Sequence, residues 1–211
     1  MTASPQPGIF ANHSRFFLAL EYRCANSATL RSALAQIRRL AAAETFCVMA
    51  FGPALWRSLA PDKAPGGLRD FTAIEGVNGL GAPSTQADVL IWIHGTDHSE
   101  VFDLGRAAHL ALASCAKLER EVPGFVYRDS RDLTGFIDGT ANPKDDEAHQ
   151  AALVPQGEAG AGGAYVLSMK YQHDLTAFNA LSVPEQEKII GRSKPDSVEM
   201  DKSVKPDTAH I

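Results

Sequence analysis

Apolar residues occur in this chain both as short continuous runs and as spaced series, and the two patterns predict different elements. Residues 1–12, with Pro5 and Pro7, read as an arm. Phe16-Phe17-Leu18-Ala19-Leu20 is a continuous run that suits a buried strand. Asn26-Ser27-Ala28-Thr29 then supplies capping residues ahead of Leu30, Leu34, Ile37 and Ala41, whose spacing sets them on one face of a helix. Phe46-Cys47-Val48-Met49-Ala50-Phe51 predicts a second strand, stopped by Gly52-Pro53, with a short helix over 54–59. Residues 61–87 are rich in proline, glycine and polar residues, and predict a long surface excursion. Val89-Leu90-Ile91-Trp92-Ile93 is the clearest strand. After it, Val101, Leu104, Ala108, Ala111, Leu112, Cys115 and Leu118 trace one helical face, and Gly124-Phe125-Val126-Tyr127 predicts a closing strand.

Strand, helix, strand, strand, helix, strand is the order of a ferredoxin-like unit, an antiparallel sheet with helices on one face. That unit fills residues 1–130, and a second begins beyond it. Residues 144–150 are charged and helical or irregular, and Gly157–Gly163 is glycine-rich and flexible. Ala164-Tyr165-Val166-Leu167-Ser168-Met169-Lys170-Tyr171 alternates as a strand would. Pro184 suits a first helical turn, and Gln186, Ile189 and Ile190 carry that helix to Gly191. A complete second half would need further strands and another helix, so residues 131–211 read as an incomplete unit and the fold class as α+β.

At 211 residues the chain can bury a sizeable core, and 45% hydrophobic with 21% charged residues is ordinary for a globular protein. A formal charge of −5 gives no basic footprint for nucleic acid, and points to a small, neutral or cationic partner. No apolar segment is long enough to cross a bilayer, and the first residues lack the pattern of a secretory signal; a cytoplasmic protein is expected. Cys24, Cys47 and Cys115 lack metal-site spacing and read as buried reduced thiols.

The candidate chemistry gathers in residues 131–143. Asp138 stands between Gly135 and Gly139, with Thr140, Asn142 and Pro143 after it. Glycines there let a flat or bulky ligand approach the backbone and meet one acid. Asp-Gly is equally a common turn dipeptide, and a solvated turn is the plain alternative. The stretch Gly135-Phe136-Ile137-Asp138-Gly139-Thr140-Ala141-Asn142-Pro143 resembles the Gly-x-x-Asp-Gly loop of the dye-decolourising peroxidases, haem enzymes that use hydrogen peroxide. Gln6-Pro7-Gly8-Ile9-Phe10, Met49-Ala50-Phe51-Gly52, the run from Pro83 to Ile91, and Ile190-Gly191-Arg192-Ser193-Lys194 also resemble that family's bacterial cytoplasmic branch. The resemblance therefore covers nearly the whole chain.

It implies a ferredoxin-like fold of the dimeric α+β barrel type, and a non-covalent haem b with Asp138 on its distal face and Gly139 and Thr140 in the cofactor-binding loop. Arg192 would lie near the haem propionates. His210 would be the proximal iron ligand, because Thr208-Ala209-His210-Ile211 fits that family's context at the right separation, 210 − 138 = 72 residues. Apart from the resemblance, His210 is a frayed terminal residue and Arg192 a helix-end arginine. The family's distal arginine follows the proximal histidine and has no counterpart before Ile211, so a fragment or a truncated paralogue with weak peroxide turnover is expected.

The resemblance implies hydrogen peroxide and a small organic reductant, dye-like, phenolic or porphyrin-type, as partners; the alternative is a haem-binding or haem-transfer protein without turnover. An interaction module that has lost haem is the blander third. An exposed sheet edge would favour a homo-oligomer. His94, His98 and His109 lack metal-ligand spacing, and His173 reads as a helix-start packing residue. Trp56, Trp92, Tyr127, Tyr165 and Tyr171 read as packing aromatics or as relays of oxidising equivalents.

Overall fold

A computed structural model gives the structure of the protein and describes residues 3–40 and 45–210. The chain divides into two compact units, Met1–Phe125 with His149–Val166, and Val126–Ala148 with Leu167–Ile211. In the first unit, β1 (Phe16–Cys24), α1 (Ser27–Leu40), β2 (Thr45–Phe51) and α2 (Pro53–Leu59) lead into the 61–87 excursion. That excursion carries only short helical turns and a hairpin of two-residue strands, β3 (Ile74–Glu75) and β4 (Gly81–Ala82). β5 (Val89–Gly95), α3 (His98–Leu112) and β6 (Ala116–Phe125) complete the unit. The four long strands pair antiparallel in the order β2-β5-β1-β6, the expected ferredoxin-like arrangement.

Period-two burial explains which sheet face is the core. Leu18, Leu20 and Tyr22 of β1 and Val89, Ile91 and Ile93 of β5 are buried with Leu30, Ala33 and Ile37 of α1 and Val101, Leu104, Ala108 and Leu112 of α3. Ile37, Ile91, Ile93 and Leu112 are fully buried, and each such aliphatic side chain contributes about 1.5–3 kcal/mol. Both helix starts are capped from the side. Asn26 Oδ1 accepts the Ala28 N–H at 3.0 Å, and Asp97 Oδ1 accepts those of Ser99 and Glu100 at 2.7 and 3.0 Å. Ala41, expected to continue the α1 stripe, lies outside the described residues.

The other sheet face carries the N-terminal arm. Gly8 sits so close to β2 and β5 that a Cβ would fall 2.7 Å from Val48 Cγ2 and 2.9 Å from Phe46 Cβ. Gln6 donates its amide N–H to Met49 O at 2.8 Å and accepts the Met49 N–H at 2.9 Å, capping the β2 edge as a neighbouring peptide would. His94 Nε2 faces Gly8 O at 2.9 Å, so it donates; Nδ1 then accepts from the Ser14 hydroxyl at 2.6 Å. The ring lies against Trp92, with centroids 4.4 Å apart, and burial lowers its pKa.

Three expectations are corrected. Leu118 belongs to β6 rather than to the α3 stripe, because the chain turns after Leu112 with the Cys115 N–H on Leu112 O. The closing strand begins at Ala116 and ends at Phe125, leaving Val126 and Tyr127 outside it. Lys117, Glu119, Arg120 and Glu121 hide β6 in the sequence: it is an edge strand, and a register shift opposite Glu21/Tyr22 breaks its alternation. Residues 165–171 form no strand. An extended segment becomes a strand only when a neighbour takes its hydrogen bonds, and here only Ala164 forms a bridge, to Leu153.

The second unit contains α5 (Leu175–Ala180) and α6 (Val183–Ile190), while α4 (Asp145–Ala152) spans residues assigned to both units. Ser182 and Glu185 form a capping box at the start of α6, with Pro184 in its first turn and Gly191 in a left-handed conformation at its end. Among the described residues no helix is long and apolar enough to cross a membrane.

Candidate functional site

The Asp138 loop is a closed turn before it is a site. Arg131 and Ile137 form an antiparallel bridge, the Asp132 N–H bonds Phe136 O at 2.9 Å, and the Gly135 N–H bonds Asp132 O at 2.9 Å. Gly135 has φ 88°, a left-handed conformation that a side chain would strain. Asp132 fastens the turn from inside, accepting the Thr134 N–H at 2.7 Å and its hydroxyl at 2.6 Å. Its other oxygen pairs with His173 Nε2 at 3.0 Å. Partial burial pushes the Asp132 pKa up, but the Thr134 hydroxyl and N–H together with His173 outweigh it and hold the carboxyl below its usual range. Phe136 is buried and meets the Phe178 ring edge-on at 6.2 Å.

Asp138 itself is exposed, and among the described residues its carboxylate accepts only the adjacent Gly139 N–H, at 2.7 Å. Gly139 has φ 69° and, like Thr140, is exposed. The Thr140 hydroxyl lies 3.4 Å from Ser197 Oγ. Ser197 in turn belongs to the second built turn of the unit, residues 192–199. There Arg192 pairs with Glu199 in a bridge and donates from Nη1 to Ser197 O at 2.8 Å, with its Nη2 3.7 Å from the Glu199 carboxylate. Glu199 also accepts from Lys205 Nζ at 2.6 Å, and this bond holds its pKa down, with lesser help from Arg192 and Lys202.

Ser197 thus joins two of the expected residues, Thr140 and Arg192. His210 is tied to the same region through its backbone, its N–H bonding Ile189 O at 2.8 Å at the end of α6. No hydrogen bond links Asp138 to Arg192 or His210 among the described residues. Ile211, the last residue of the expected histidine context, lies outside the described residues.

Ring environments separate the histidines. His94, His98, His109 and His149 lie against aromatic rings and His173 is paired with Asp132. Among the described residues, the exposed rings of His210 and His13 carry neither a hydrogen bond nor a ring contact, so the imidazole of His210 is available as a ligand. An imidazole for ferric iron and an arginine fork for a propionate are the groups that hold such a macrocycle, so the residues present fit haem. Among the described residues no cluster of three or more His, Cys, Asp or Glu could hold a bare metal ion.

What the sequence did not reveal is the fastening. Arg131 Nη1 donates to Gly135 O and to Lys194 O, each at 2.9 Å, and its Nη2 donates to Pro195 O at 3.0 Å. Lys194 completes the seam, its Nζ on Gln186 Oε1 at 2.6 Å and 5.4 Å from the Phe136 ring centroid. Arg131 opens the loop singled out from the sequence, yet its partners are carbonyl oxygens, which no residue pattern signals.

Comparison with known proteins converges on one family. The model for Dyp-type peroxidase, N-terminal, matches residues 6–126, and that for Dyp-type peroxidase, C-terminal, matches residues 129–211. A dye-decolorizing peroxidase of Mycolicibacterium paratuberculosis is 36% identical over 204 residues, covering 92% of this chain and 57% of that protein. One from Mycobacterium tuberculosis is 33% identical over 218 residues, covering 99% and 65%. The chain therefore spans about half to two thirds of the length of the curated relatives it matches. A Dyp-type peroxidase protein from Shewanella oneidensis superposes with TM-score 0.92 at 29% identity, over 100% of this chain and 72% of that one. A Rhodococcus jostii DypB variant in complex with heme superposes with TM-score 0.89 at 35% identity, over 100% and 72%.

Proposed function

Because this chain belongs to the Dyp-type peroxidase family, we propose that it is the haem-holding part of a peroxidase that reduces hydrogen peroxide and oxidises small organic reductants. The observation that carries this reading is the division of labour in the loop. Arg131, Asp132, Thr134 and Phe136 do the fastening, and Asp138 is left exposed with, among the described residues, only the neighbouring Gly139 N–H on its carboxylate. A carboxylate held on a rigid turn and not used to build it is suited to move a proton.

When bound, haem b supplies the redox-active iron at which the O–O bond of peroxide is broken. The chain supplies the rest. Asp138 accepts a proton from the entering peroxide and returns it to the departing oxygen, so that water can leave. Gly139 and Thr140, with no bulky side chain, let the loop approach the macrocycle closely. His210 offers a ring nitrogen to the iron from a backbone anchored on Ile189 O, and Arg192 offers its remaining donors to a propionate while Ser197 O holds the fork in place. Dye-like, phenolic or porphyrin-type reductants fit this scheme because oxidation at a haem edge needs little shaped pocket.

In this reading residues 1–130 form the scaffold and residues 131–211 the haem-binding part. Three unpaired cysteines accord with a cytoplasmic location, and the β6 edge offers a route to a homo-oligomer.

Haemin titration of the purified chain beside its His210→Ala variant tests the proposal. The expected result is a saturable, histidine-ligated ferric spectrum that the variant lacks, and an Asp138→Asn chain that binds haem normally but reacts with peroxide about 10²–10⁴-fold more slowly. Haem binding without peroxide reaction in the unsubstituted chain would instead indicate a haem-binding or haem-transfer role. Equal, non-saturable spectra for the unsubstituted and His210→Ala chains would sink both readings.

A further inference from the structure

We infer that Arg131 is the positioning residue that sets the Asp138 loop against the turn carrying Arg192; the inference rests on the peroxidase reading for its catalytic consequence and on geometry alone for its structural one. Its guanidinium makes hydrogen bonds to three carbonyl oxygens at 2.9–3.0 Å: Gly135 in the acid-bearing turn, and Lys194 and Pro195 in the other. The segments are 63 and 64 residues apart in sequence for the latter two bonds, so this one side chain does locally what a stretch of sheet would otherwise do.

Each turn closes by its own bonds, Asp132 with Thr134 and Phe136 in one, Ser193 with Val198 and Asp196 in the other. Neither set fixes one turn relative to the other. Besides Arg131, the polar ties between the turns among the described residues are the 3.4 Å contact of Thr140 with Ser197 and the Lys194 ammonium 5.4 Å from the Phe136 ring centroid, both longer and less directional than the Arg131 bonds.

A planar fork with fixed donors is what three convergent carbonyls require. Lysine carries the same charge, but its single ammonium on a flexible stem cannot span both turns in one geometry. Arg131 is not a catalytic residue on this account: its bonds go to backbone, and it acts through the placement of Asp138, three residues beyond Gly135. A displacement of about 1 Å at such a group costs on the order of 100-fold in rate.

The test uses the full chain carrying Arg131→Lys or Arg131→Ala. In amide ¹H–¹⁵N spectra we expect Gly135, Gly139 and Thr140 to shift together with Ser193 and Ser197 in both variants, while β1 and β5 amides stay in place. Millimolar guanidinium, but not ammonium, should return the Arg131→Ala spectrum toward the original. In haem-loaded protein the peroxide reaction should fall about 100-fold in Arg131→Lys with haem affinity retained, and guanidinium should restore part of the rate in Arg131→Ala.

Shifts confined to one turn, or an Arg131→Lys chain with the original spectrum and rate, would overturn the inference. So would unfolding in both variants that guanidinium does not reverse, since Arg131 would then be a general requirement of the fold. If the unsubstituted chain binds no haem, the peroxidase reading fails while the amide spectra still decide the role of Arg131.

Discussion

Gly8→Ala isolates the seat of the N-terminal arm. The Gly8 backbone lies outside the left-handed region, so alanine costs nothing in φ, and the whole penalty is steric. Its Cβ would meet Val48 Cγ2 at 2.7 Å, Phe46 Cβ at 2.9 Å and His94 Nε2 at 3.1 Å. Two of these neighbours belong to a paired strand and the third is a buried ring, so the arm must lift. Overpacking of this kind costs about 1–3 kcal/mol, and lifting also weakens the His94 bond to Gly8 O, worth about 0.5–1.5 kcal/mol. The expected loss is about 2–4 kcal/mol, or a melting temperature lower by about 5–15 °C for a chain of this size. Gly66→Ala is the control, because nothing lies within 4 Å of its Cβ; it should leave the melt unchanged or raise it by the equivalent of about 0.4–1 kcal/mol. Thermal denaturation followed by circular dichroism measures both, and NMR titration of the His94 ring should show its pKa moving back toward 6.5 in Gly8→Ala. A Gly8→Ala chain melting within about 1 °C of the original would refute the close packing of the arm.

Two further outcomes follow from buried groups. The folded state lowers the pKa of His94, so the unfolded chain binds more protons around its ordinary value; stability is full above about pH 6.5 and falls as pH drops through the folded value. Urea midpoints should therefore decline from pH 7 toward pH 5, and His94→Gln should flatten that part of the curve; an equally steep curve in the variant would assign the dependence to other groups. In the second unit, Phe136→Ala removes a 4%-exposed ring that packs on Phe178, and should cost about 3–5 kcal/mol, read from denaturant unfolding. A loss below about 1 kcal/mol would show that this ring is not the core of its turn.

The first unit was legible because its elements follow one period each. β1, β2 and β5 are apolar runs, and α1 and α3 carry apolar stripes behind side-chain caps. β6 was legible only at its end, since an edge strand with a register shift shows solvent a row of charges. The alternation of 164–171 suggested a strand because sequence records a segment's own preference and not the neighbour it needs. In the candidate site, glycines and resemblance pointed to Asp138, Gly139, Thr140, Arg192 and His210. Arg131, the Asp132–His173 pair and the Thr140–Ser197 contact stayed hidden, because they join residues 41 to 64 positions apart or end on carbonyl oxygens that every residue possesses.

The arm also has a consequence for how the chain is made. Gly8 leaves the ribosome 86 residues ahead of His94, the ring that bonds its carbonyl, and Ala3 leaves 153 residues ahead of Gln156, which brackets its N–H and C=O. At roughly 5–20 residues per second, the arm waits about 4–17 seconds for its seat, and longer for its final tie. During that interval β2 lacks its partner β5, and its unpaired peptides are open to any other nascent chain in reach. The arm thus emerges before β5 and Gln156 but is secured only after both, which makes translation speed and chaperone access matter to its folding alongside the core.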